Sequence, residues 1–355
     1  MKMNELRKRI DQIDGKILEM LEERISIAKE IGKLKREENL SLLHIDRERE
    51  VLERLIKNRK LLSKEAISAI YREIFSVSLH LQGEPTIAYL GPAGTFTHQA
   101  AEQRFGASNK YIGFNEISDV FMEVLKKGAD YGVVPIENSI EGIVSNTLDM
   151  FISSDVVICD EIYLKISHCL LSKEDSILKI KRVYSHPSAF AQCRKFLSEN
   201  MPGVELIDMS STASAAKRVV DEKCSAAIGN KWAGEIYCLN ILKGQIEDFV
   251  SNTTRFVVIG REYGNATGQD KTSILFSVKD RPGALHDMLM PFAEEGINLT
   301  KIESRPSKIK PWEYMFFIDF EGHIQDEKVK IAIEGLNNLC NYLKVLGSYP
   351  KGEMV

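Results

Sequence analysis

The first 82 residues contain no proline and only two glycines, Gly15 and Gly32, which strongly favours long helices. Apolar residues recur at close to helical spacing between Leu6 and Arg36, namely Ile10, Ile13, Ile17, Leu21, Ala28, Ile31 and Leu34. At 1.5 Å per residue, a helix of that length extends about 45 Å. The pattern therefore predicts one long N-terminal helix.

Two shorter helices are predicted to follow it. One spans Ile45 to Asn58, and the other begins after a Ser63 cap and reaches about Gln82. Because both are shorter than the first helix, a single copy leaves part of that helix uncovered. We therefore expect dimerisation of this region, first helix against first helix. The alternative is a solvated helical hairpin or coiled coil.

Composition excludes several classes of function. With 355 residues and 44% hydrophobic content, the chain is expected to form two or three domains. Its net charge of −4 gives no electrostatic case for nucleic acid or an anionic membrane surface. There is no apolar signal core and no run approaching the roughly 20 residues that span a bilayer. The six cysteines are scattered without a Cys-x-x-Cys pair, and the histidines show no zinc-ligand spacing, so a cytoplasmic protein with reduced thiols is expected.

Short β-branched runs alternate with helical stretches from Thr86 to about Gly260. The alternation predicts an α/β architecture with mostly parallel strands, in which ligands bind at the carboxyl ends of strands. Three of the strands run into polar loops, at residues 91–98, 135–139 and 185–187. Together these loops suggest one polar pocket, although each alone is also typical of a turn or a helix cap.

The stretch Ser251–Gly260 places four polar residues, Asn252, Thr253, Thr254 and Arg255, immediately before an apolar strand. They form either a solvated loop or the rim of a site.

Beyond a linker at residues 264–270, the predicted order is strand, helix, strand, strand, helix, strand. That βαββαβ order is ferredoxin-like. This module shows no evident nucleophile, base or metal cluster, so a binding role is expected.

Two cations on the first predicted helix indicate a site in the N-terminal region. Arg24 and Lys35 lie eleven residues apart, close to three turns, and therefore project from one face. Ala28 and Ile31 lie between them, and cations on such a face are costly to bury unless an anion meets them. The alternative interpretation is surface charges paired with neighbouring glutamates.

This region resembles the all-helical chorismate mutases in five stretches: Leu6-Arg7, Glu23-Arg24, Lys33-Leu34-Lys35, Ile45-Asp46-Arg47-Glu48-Arg49, and Ser78 with Gln82. In that family the enzyme is a helical dimer whose pocket takes one arginine from the other subunit. The resemblance implies that three arginines hold the two carboxylates of chorismate, namely Arg7, Arg24 and Arg47. It also implies that Lys35 and Gln82 contact the ether oxygen, and that Glu48 binds the ring hydroxyl with Ser78 nearby.

The chemistry of the reaction agrees with those roles. The Claisen rearrangement of chorismate is unimolecular, so a catalyst needs only to hold a compact conformer and stabilise charge on the ether oxygen. One departure is His44, which stands where relatives often carry an aspartate and so weakens any side-chain role at that position.

The loops of the middle region resemble prephenate dehydratase. Seven motifs occur in order: Gly91-Pro92, Gly94-Thr95-Phe96, Val134-Pro135-Ile136-Glu137-Asn138-Ser139, Ser185-His186-Pro187, Gln192-Cys193, Ser211-Thr212 and Asn252-x-Thr254-Arg255-Phe256. The resemblance implies two α/β lobes, similar to periplasmic binding proteins, with the pocket between them.

Prephenate dehydratase removes water and carbon dioxide from prephenate to give phenylpyruvate, which calls for a proton donor beside the leaving hydroxyl and firm binding of the carboxylates. The resemblance places Thr254 as that donor, and Arg255 as a residue that either grips a carboxylate or braces the loop. The implied substrate-binding residues are Glu137, Asn138, Ser139, Ser185, Gln192, Ser211, Thr212 and Arg255. His98 and His186 are predicted to be structural rather than acids.

Two segments of the C-terminal module, residues 281–285 and 303–306, resemble the regulatory ACT domain of prephenate dehydratases. In that family they meet across a dimer and bind phenylalanine, which inhibits the enzyme. The implied contacts are Gly283, Ala284, Leu285, Asn298, Glu303 and Ser304. For Gly283, the alternative is that it simply starts a helix.

The whole chain thus resembles the bifunctional chorismate mutase/prephenate dehydratases. The expected fold is multidomain: an all-α three-helix mutase dimer domain (1–83), a two-lobed α/β dehydratase domain (85–262) and an α+β ferredoxin-like ACT domain (271–350). We expect a homodimer or higher homo-oligomer that binds chorismate, prephenate and phenylalanine, uses no metal or organic cofactor, and has neither nucleic acid nor membrane as a partner. Two alternatives remain: a binding module for an aromatic acid or amino acid with a helical dimerisation region, and an enzyme with only the dehydratase active.

Overall fold

The computed structural model describes residues 3–38, 40–278, 281–306 and 314–352. The chain forms two compact units. One comprises Met1–Thr86 with Phe105–Lys110, and the other comprises Ile87–Arg104 with Tyr111–Val355. Within the described ranges, no helix is long and apolar enough to cross a membrane.

Three helices build the first unit, as predicted: α1 (Met3–Glu37), α2 (Ile45–Lys57) and α3 (Lys64–Gly83). The cap predicted at Ser63 is present, since its hydroxyl accepts the Ala66 N–H at 3.1 Å. Of the described α1 residues, Ala28 and Gly32 are buried. Many large apolar side chains of α1 are instead 44–66% exposed in the single chain, namely Met3, Leu6, Ile10, Ile13, Ile17, Leu18, Met20, Ile27, Ile31 and Leu34.

The second unit begins with a lobe of alternating strands and helices. Its elements are β1 (Thr86–Leu90), α4 (Phe96–Phe105), β2 (Lys110–Phe114), α5 (Ile117–Leu125), β3 (Tyr131–Asn138), β4 (Gly142–Ile143), α6 (Ser145–Ser153) and β5 (Val157–Lys165). Apolar residues of α5 and α6, such as Phe121 and Phe151, are fully buried and pack edge-to-face with ring centres 5.0 Å apart. They form the core beneath the first sheet.

The chain then crosses into a second lobe at residues 166–168. The elements of that lobe are β6 (Cys169–Ser172), β7 (Arg182–Ser185), α7 (Pro187–Gln192), α8 (Arg194–Asn200), β8 (Glu205–Asp208), α9 (Thr212–Val219), β9 (Ser225–Gly229), α10 (Lys231–Ile236) and β10 (Asn240–Lys243). Its sheet has the order β10-β6-β9-β7-β8. After β10 the chain crosses back and enters the first lobe as β11 (Thr253–Gly260).

The prediction of mostly parallel strands is wrong, because both sheets are mixed. The first sheet has the order β2-β1-β3-β11-β5, with β4 beside β3. β1 is parallel to β3, but β11 is antiparallel to both β3 and β5. Since β11 returns from the second lobe, it runs into the sheet opposite to β5, which leaves it. The carboxyl end of β3 therefore lies beside the amino end of β11, at the edge that faces the second lobe.

The C-terminal module has the predicted βαββαβ order. It consists of β12 (Asp270–Ser277), α11 (Ala284–Glu294), β13 (Leu299–Pro306), β14 (Tyr314–Glu321), α12 (Glu327–Leu339) and β15 (Tyr342–Pro350). Its sheet has the order β13-β14-β12-β15, and α11 and α12 pack on one face around Phe292, Phe320 and Leu336. The opposite face contributes Leu275, Phe317 and other residues to the core of the first lobe. The C-terminal sheet and the first lobe thus share one core.

Candidate active sites

In the first unit, α1 and α3 bring four of the predicted residues together. Arg24 donates to Ser78 Oγ, and Lys35 Nζ donates to Gln82 Oε1 at 3.2 Å and to the Leu42 carbonyl at 2.6 Å. Burial lowers the pKa of both cations, while the negative charge of Glu48 acts on both in the opposite direction. Two partly desolvated cations near one carboxylate make this cluster suited to an anionic ligand.

The close approach of these helices depends on Gly32, whose role the sequence analysis missed. A Cβ atom at this position would lie 2.7 Å from Gln82 Cα and 2.9 Å from the Gln82 carbonyl oxygen. A glycine inside a helix costs about 1 kcal/mol relative to alanine, so its presence there was a signal of close packing.

Two of the predicted arginines are not brought to this cluster within one chain. Arg47 pairs with Glu50 on the exposed side of α2, where its side chain is 57% exposed. Arg7 precedes Arg24 by 17 positions on the same helix, which places it roughly 26 Å away along the axis. His44 precedes α2 without capping it through its side chain, and its Nδ1 lies 3.9 Å from Asp46.

In the second unit, a chain of amide hydrogen bonds surrounds Thr254. Asn138 Nδ2 donates to Thr254 Oγ1 at 2.8 Å and to Asn252 Oδ1 at 2.7 Å, and Asn252 Nδ2 donates to Gln192 Oε1 at 2.9 Å. Asn138 is itself fixed, because its Oδ1 accepts the backbone N–H groups of Ile140 and Glu141 at 2.9 Å. Since Thr254 Oγ1 accepts from Asn138, its own proton remains available to donate.

Gln192 joins this network to two residues that the sequence analysis missed. Its Nε2 donates to Glu141 Oε1 at 2.7 Å, and its Oε1 lies 2.9 Å from His168 Nε2. An amide oxygen only accepts, so the pairing assigns the proton to His168 Nε2. Burial lowers the pKa of this imidazole, which favours the neutral form. No spacing rule could have found the set, since the partners of Gln192 are 24 to 60 positions away.

A cavity of about 790 Å³ lies between the lobes, and its lining does not include Thr254, Asn138, Asn252 or Gln192. It is lined by Gly91 and Pro92 after β1, by Asn115 after β2, and by residues of the second lobe that include Ser211 and Lys217. Its volume is in the range of small-molecule sites. Ser211 lies at its wall as the N-cap of α9, where its hydroxyl accepts the Ser214 N–H at 3.0 Å; Thr212 is the first residue of that helix.

Four of the predicted substrate-binding residues make other contacts in the structure. Ser185 is fully buried and donates to the Ile228 carbonyl at 3.0 Å. Glu137 precedes Asn138 on β3, and Arg255 follows Thr254 on β11. Their side chains therefore project from the face opposite to Asn138 and Thr254. Glu137 pairs with Lys301 of the C-terminal sheet at 2.9 Å. Ser139 braces the loop, since its Oγ accepts the Thr253 N–H at 2.9 Å.

Arg255 is buried in an ionic network with the C-terminal sheet. It is 5% exposed, and its guanidinium donates to Glu161 at 2.7 Å, Asp319 at 2.5 Å and the Tyr349 hydroxyl at 2.9 Å. Lys271 adds a second cation, 2.8 Å from Glu161. Burial acts to lower the pKa of Arg255, but Asp319, Tyr349 and Glu161 together raise that pKa well above its ordinary value. Of the two predicted roles, bracing is therefore the one that its contacts fit.

His98 and His186, which were predicted to be structural, both make structural contacts. His98 stacks on Tyr89 with ring centres 4.2 Å apart, and its Nδ1 accepts the Gly94 N–H at 3.3 Å. Burial lowers the pKa of His98 to about 4. His186 caps α7, because its Nδ1 accepts the Ser188 N–H at 3.2 Å.

The predicted ligand residues of the C-terminal module lie in two places. Gly283 has φ of 78°, a left-handed conformation that starts α11, with Ala284 buried and Leu285 37% exposed. On β13, Glu303 shares a face with Lys301, whereas Ser304 lies on the other face. Asn298 is exposed just before that strand. Across the described ranges, no group of three or more His, Cys, Asp or Glu side chains is arranged to hold a metal ion.

Comparison with known families gives three successive matches. The chorismate mutase type II family matches residues 6–83, prephenate dehydratase matches residues 87–263, and the ACT domain matches residues 272–337. The three stretches coincide with the helical unit, the two lobes and most of the C-terminal module.

Individual relatives span nearly the whole chain. A bifunctional chorismate mutase/prephenate dehydratase of Aquifex aeolicus is 50% identical over 98% of both chains. The protein of that name from Pseudomonas aeruginosa is 44% identical over 98% of this chain and 97% of its own. Among solved structures, the prephenate dehydratase of Arthrobacter aurescens in complex with L-Phe has a TM-score of 0.70 and 35% identity, covering 75% of this chain and 90% of that one.

Proposed function

Because the chain belongs to the bifunctional chorismate mutase/prephenate dehydratases, we propose how its own residues divide the two reactions. The protein is an isomerase and a lyase in one polypeptide: its helical unit is a chorismate mutase, and its two lobes are a prephenate dehydratase. The product of the first reaction is the substrate of the second. We assign the protein to the cytoplasm, an assignment supported by its six free cysteines.

For the mutase we propose a site completed by a second subunit. Arg24 and Arg47 of one chain, with Arg7 of the partner chain, bind the two carboxylates of chorismate, while Glu48 and Ser78 bind around the ring hydroxyl. Lys35 and Gln82 stabilise the negative charge on the ether oxygen; the Gln82 oxygen accepts from Lys35, which leaves its NH₂ group as a donor. The observation that supports a dimer is the exposed apolar stripe along α1.

Subunit mixing tests this arrangement. Arg7→Ala and Arg24→Ala homodimers should each be nearly inactive as mutases. Mixed by co-expression, they form hybrid dimers in which one of the two sites has both arginines. Random pairing should then restore about a quarter of the parent mutase activity, because half of the dimers are hybrids with one intact site. Activity that stays at the level of the homodimers would refute a shared site, provided that size-exclusion chromatography shows dimers.

For the dehydratase we propose that Thr254 donates a proton to the leaving C4 hydroxyl. The ring carboxylate leaves as carbon dioxide, its electron pair aromatises the ring, the C4–O bond breaks, and the departing oxygen takes the Thr254 proton, which water replaces. Asn138, Gln192, Ser211 and Thr212 bind the substrate, and Ser139 holds the loop. The observation that supports this role is the 2.8 Å hydrogen bond from Asn138 Nδ2 to Thr254 Oγ1. Because Thr254 Oγ1 accepts this bond, its own proton can be donated to the substrate.

The experiment is a pair of substitutions measured for both activities. Thr254→Ala should lower dehydratase kcat by about 10²- to 10⁴-fold, as expected for loss of a positioned proton donor, with mutase turnover intact. Thr254→Ser keeps the hydroxyl and should retain much of the activity. Full dehydratase activity in the alanine variant, or loss of both activities in a folded protein, would contradict the assignment.

We further propose that the C-terminal module binds phenylalanine as a feedback inhibitor, through Gly283–Leu285, Asn298, Glu303 and Ser304 at an interface between subunits. The L-Phe complex of the related dehydratase from Arthrobacter aurescens supports this proposal. Added phenylalanine should lower prephenate turnover by the parent protein. Ser304→Ala should raise the phenylalanine concentration that is needed for half-maximal inhibition. Turnover unaffected by millimolar phenylalanine would refute it.

A further inference from the structure

An aromatic side chain lies against Arg24 in the helical unit. The guanidinium carbon of Arg24 lies over the ring of Phe75, 5.6 Å from its centre. A cation within about 6 Å of an aromatic ring is attracted by the negative charge of the ring face. Phe75 belongs to α3, and the predicted site residues of this unit do not include it.

The contact with Phe75 holds Arg24 at a second point. The first is Ser78, three positions further along α3, whose Oγ accepts from the guanidinium. Ser78 is 5% exposed, and its own hydroxyl donates to the Ile74 carbonyl at 2.7 Å. Because residues three positions apart on a helix are neighbours on one face, the ring and the hydroxyl hold the same side chain from one face of α3.

The Phe75 ring is held in turn by Tyr71, one turn earlier on α3. The two ring centres are 5.9 Å apart and the ring planes are inclined by 62°, which is an edge-to-face arrangement. Aromatic pairs of this kind are more favourable than the area they bury would suggest. The contact with Tyr71 therefore helps to keep the Phe75 ring in place beside Arg24.

An aromatic ring is a suitable support for an arginine that has to bind a carboxylate. An acidic side chain in the same place would occupy the N–H groups that form a bidentate pair with a ligand. The ring attracts the guanidinium without such competition. Arg24 is only partly exposed, so the attraction is stronger than at the open surface. A side chain that is oriented before the substrate arrives also loses less entropy on binding.

We propose that Phe75 is a positioning residue of the mutase, whose ring holds the Arg24 guanidinium, together with Ser78, in the orientation that receives a carboxylate of chorismate. The inference deepens the proposed mutase site and rests on the proposed role of Arg24. It gives the ring an electrostatic role, which an aliphatic side chain of similar bulk could not provide.

The first test is Phe75→Leu, which removes the ring and keeps an apolar side chain. The KM for chorismate should rise about five- to tenfold, within the range expected for loss of one partly desolvated cation–π contact. Mutase kcat should change less than about threefold, because Arg24 holds a carboxylate that is present in both the bound substrate and the transition state. Phe75→Tyr keeps the aromatic face and should restore most of the affinity. Circular dichroism and size-exclusion chromatography should match the parent for both variants.

A matched control changes the charge of the ring face and keeps its shape. Phenylalanine analogues with one, two and three ring fluorines, incorporated at position 75, weaken the negative ring face in steps while the ring stays nearly the same size. The logarithm of KM should therefore rise stepwise with the number of fluorines. A KM that is raised by Phe75→Leu but unchanged across the fluorinated series would show that the ring acts by shape alone, and would overturn the inference.

Arg24 variants separate this inference from the proposed site. In Arg24→Met, the residual mutase kcat/KM is measured at high enzyme concentration, and adding Phe75→Leu should lower it less than twofold, because no guanidinium remains to be held. A fall as large as in the parent would mean that Phe75 acts on the substrate directly, which contradicts the inference. If Phe75→Leu keeps the parent KM while Arg24→Ala is inactive, the positioning role fails alone. If Arg24→Ala is active, the proposed role of Arg24 fails instead.

Discussion

Replacing Gly32 by alanine would place a methyl group where the backbone of α1 lies against Gln82 of α3. The added Cβ would lie 2.7 Å from Gln82 Cα, whereas carbon atoms in contact are about 3.5–4.0 Å apart. The two helices must therefore separate by about 1 Å. Overpacking of this kind costs about 1–3 kcal/mol, and the better helix propensity of alanine offsets about 1 kcal/mol of that cost. The net loss of at most about 2 kcal/mol should leave the helical unit folded.

The catalytic effect should be larger than the effect on stability. The hydrogen bond from Lys35 to Gln82 is already 3.2 Å long, and a further separation of about 1 Å takes it beyond hydrogen-bond range. Both side chains are proposed to contact the ether oxygen, and a misplacement of this size can cost about 10²-fold in rate. We expect mutase kcat to fall by about that factor.

The assay follows chorismate loss, with prephenate turnover by the dehydratase of the same protein as an internal reference. Gly15→Ala is the matched control, because the same substitution on the same helix would meet no atom of the chain within 4 Å. Gly15→Ala should raise the midpoint temperature of unfolding of the helical unit, leave the oligomeric state unchanged and keep the mutase active. A Gly32→Ala protein that retains mutase kcat within threefold would refute the reasoning.

Two further predictions concern stability. Gly347→Ala should weaken the docking of the C-terminal sheet, since the added Cβ would lie 2.1 Å from the Ile158 carbonyl oxygen of β5. Calorimetry should show a lower transition temperature, equivalent to a loss of about 1–3 kcal/mol in the free energy of unfolding. Gly264→Ala, whose Cβ would meet no atom within 4 Å, should leave the transition unchanged. The pKa of His98 is about 4 in the folded protein and about 6.5 in the unfolded chain, so the unfolded state binds a proton first as the pH falls. The free energy of unfolding should therefore decrease between pH 6.5 and pH 4, by up to about 3 kcal/mol. Urea titrations across this range should show a shallower decline for His98→Phe, and parallel curves would contradict the assignment.

Elements with a local signal were predictable from the sequence. The periodicity of α1 and the cap at Ser63 are properties of neighbouring residues, and so is the βαββαβ order of the C-terminal module. Strand direction was not predictable in this way, because β11 is antiparallel to β3 only as a result of two crossings between lobes. The partners of Gln192 come from distant positions for the same reason.

The placement of Arg255 could have been predicted in part. Thr254 and Arg255 are successive residues of one strand, so their side chains project from opposite faces and cannot both line one cleft. The same rule separates Glu137 from Asn138 and Ser304 from its neighbour in β13. What the sequence could not reveal is the surface that meets Arg255, because Asp319 is 64 positions away in another module.

The position of β11 has a consequence for how the protein is made. This strand is central in the first sheet but is the last of its strands to leave the ribosome, after the whole second lobe. At about 5–20 residues per second, roughly 5–20 s pass between completion of β5 and completion of β11. During that interval both β3 and β5 carry an unpaired edge, which is a template for pairing with other nascent chains. A translational pause between these strands would therefore prolong the time for which both edges are exposed.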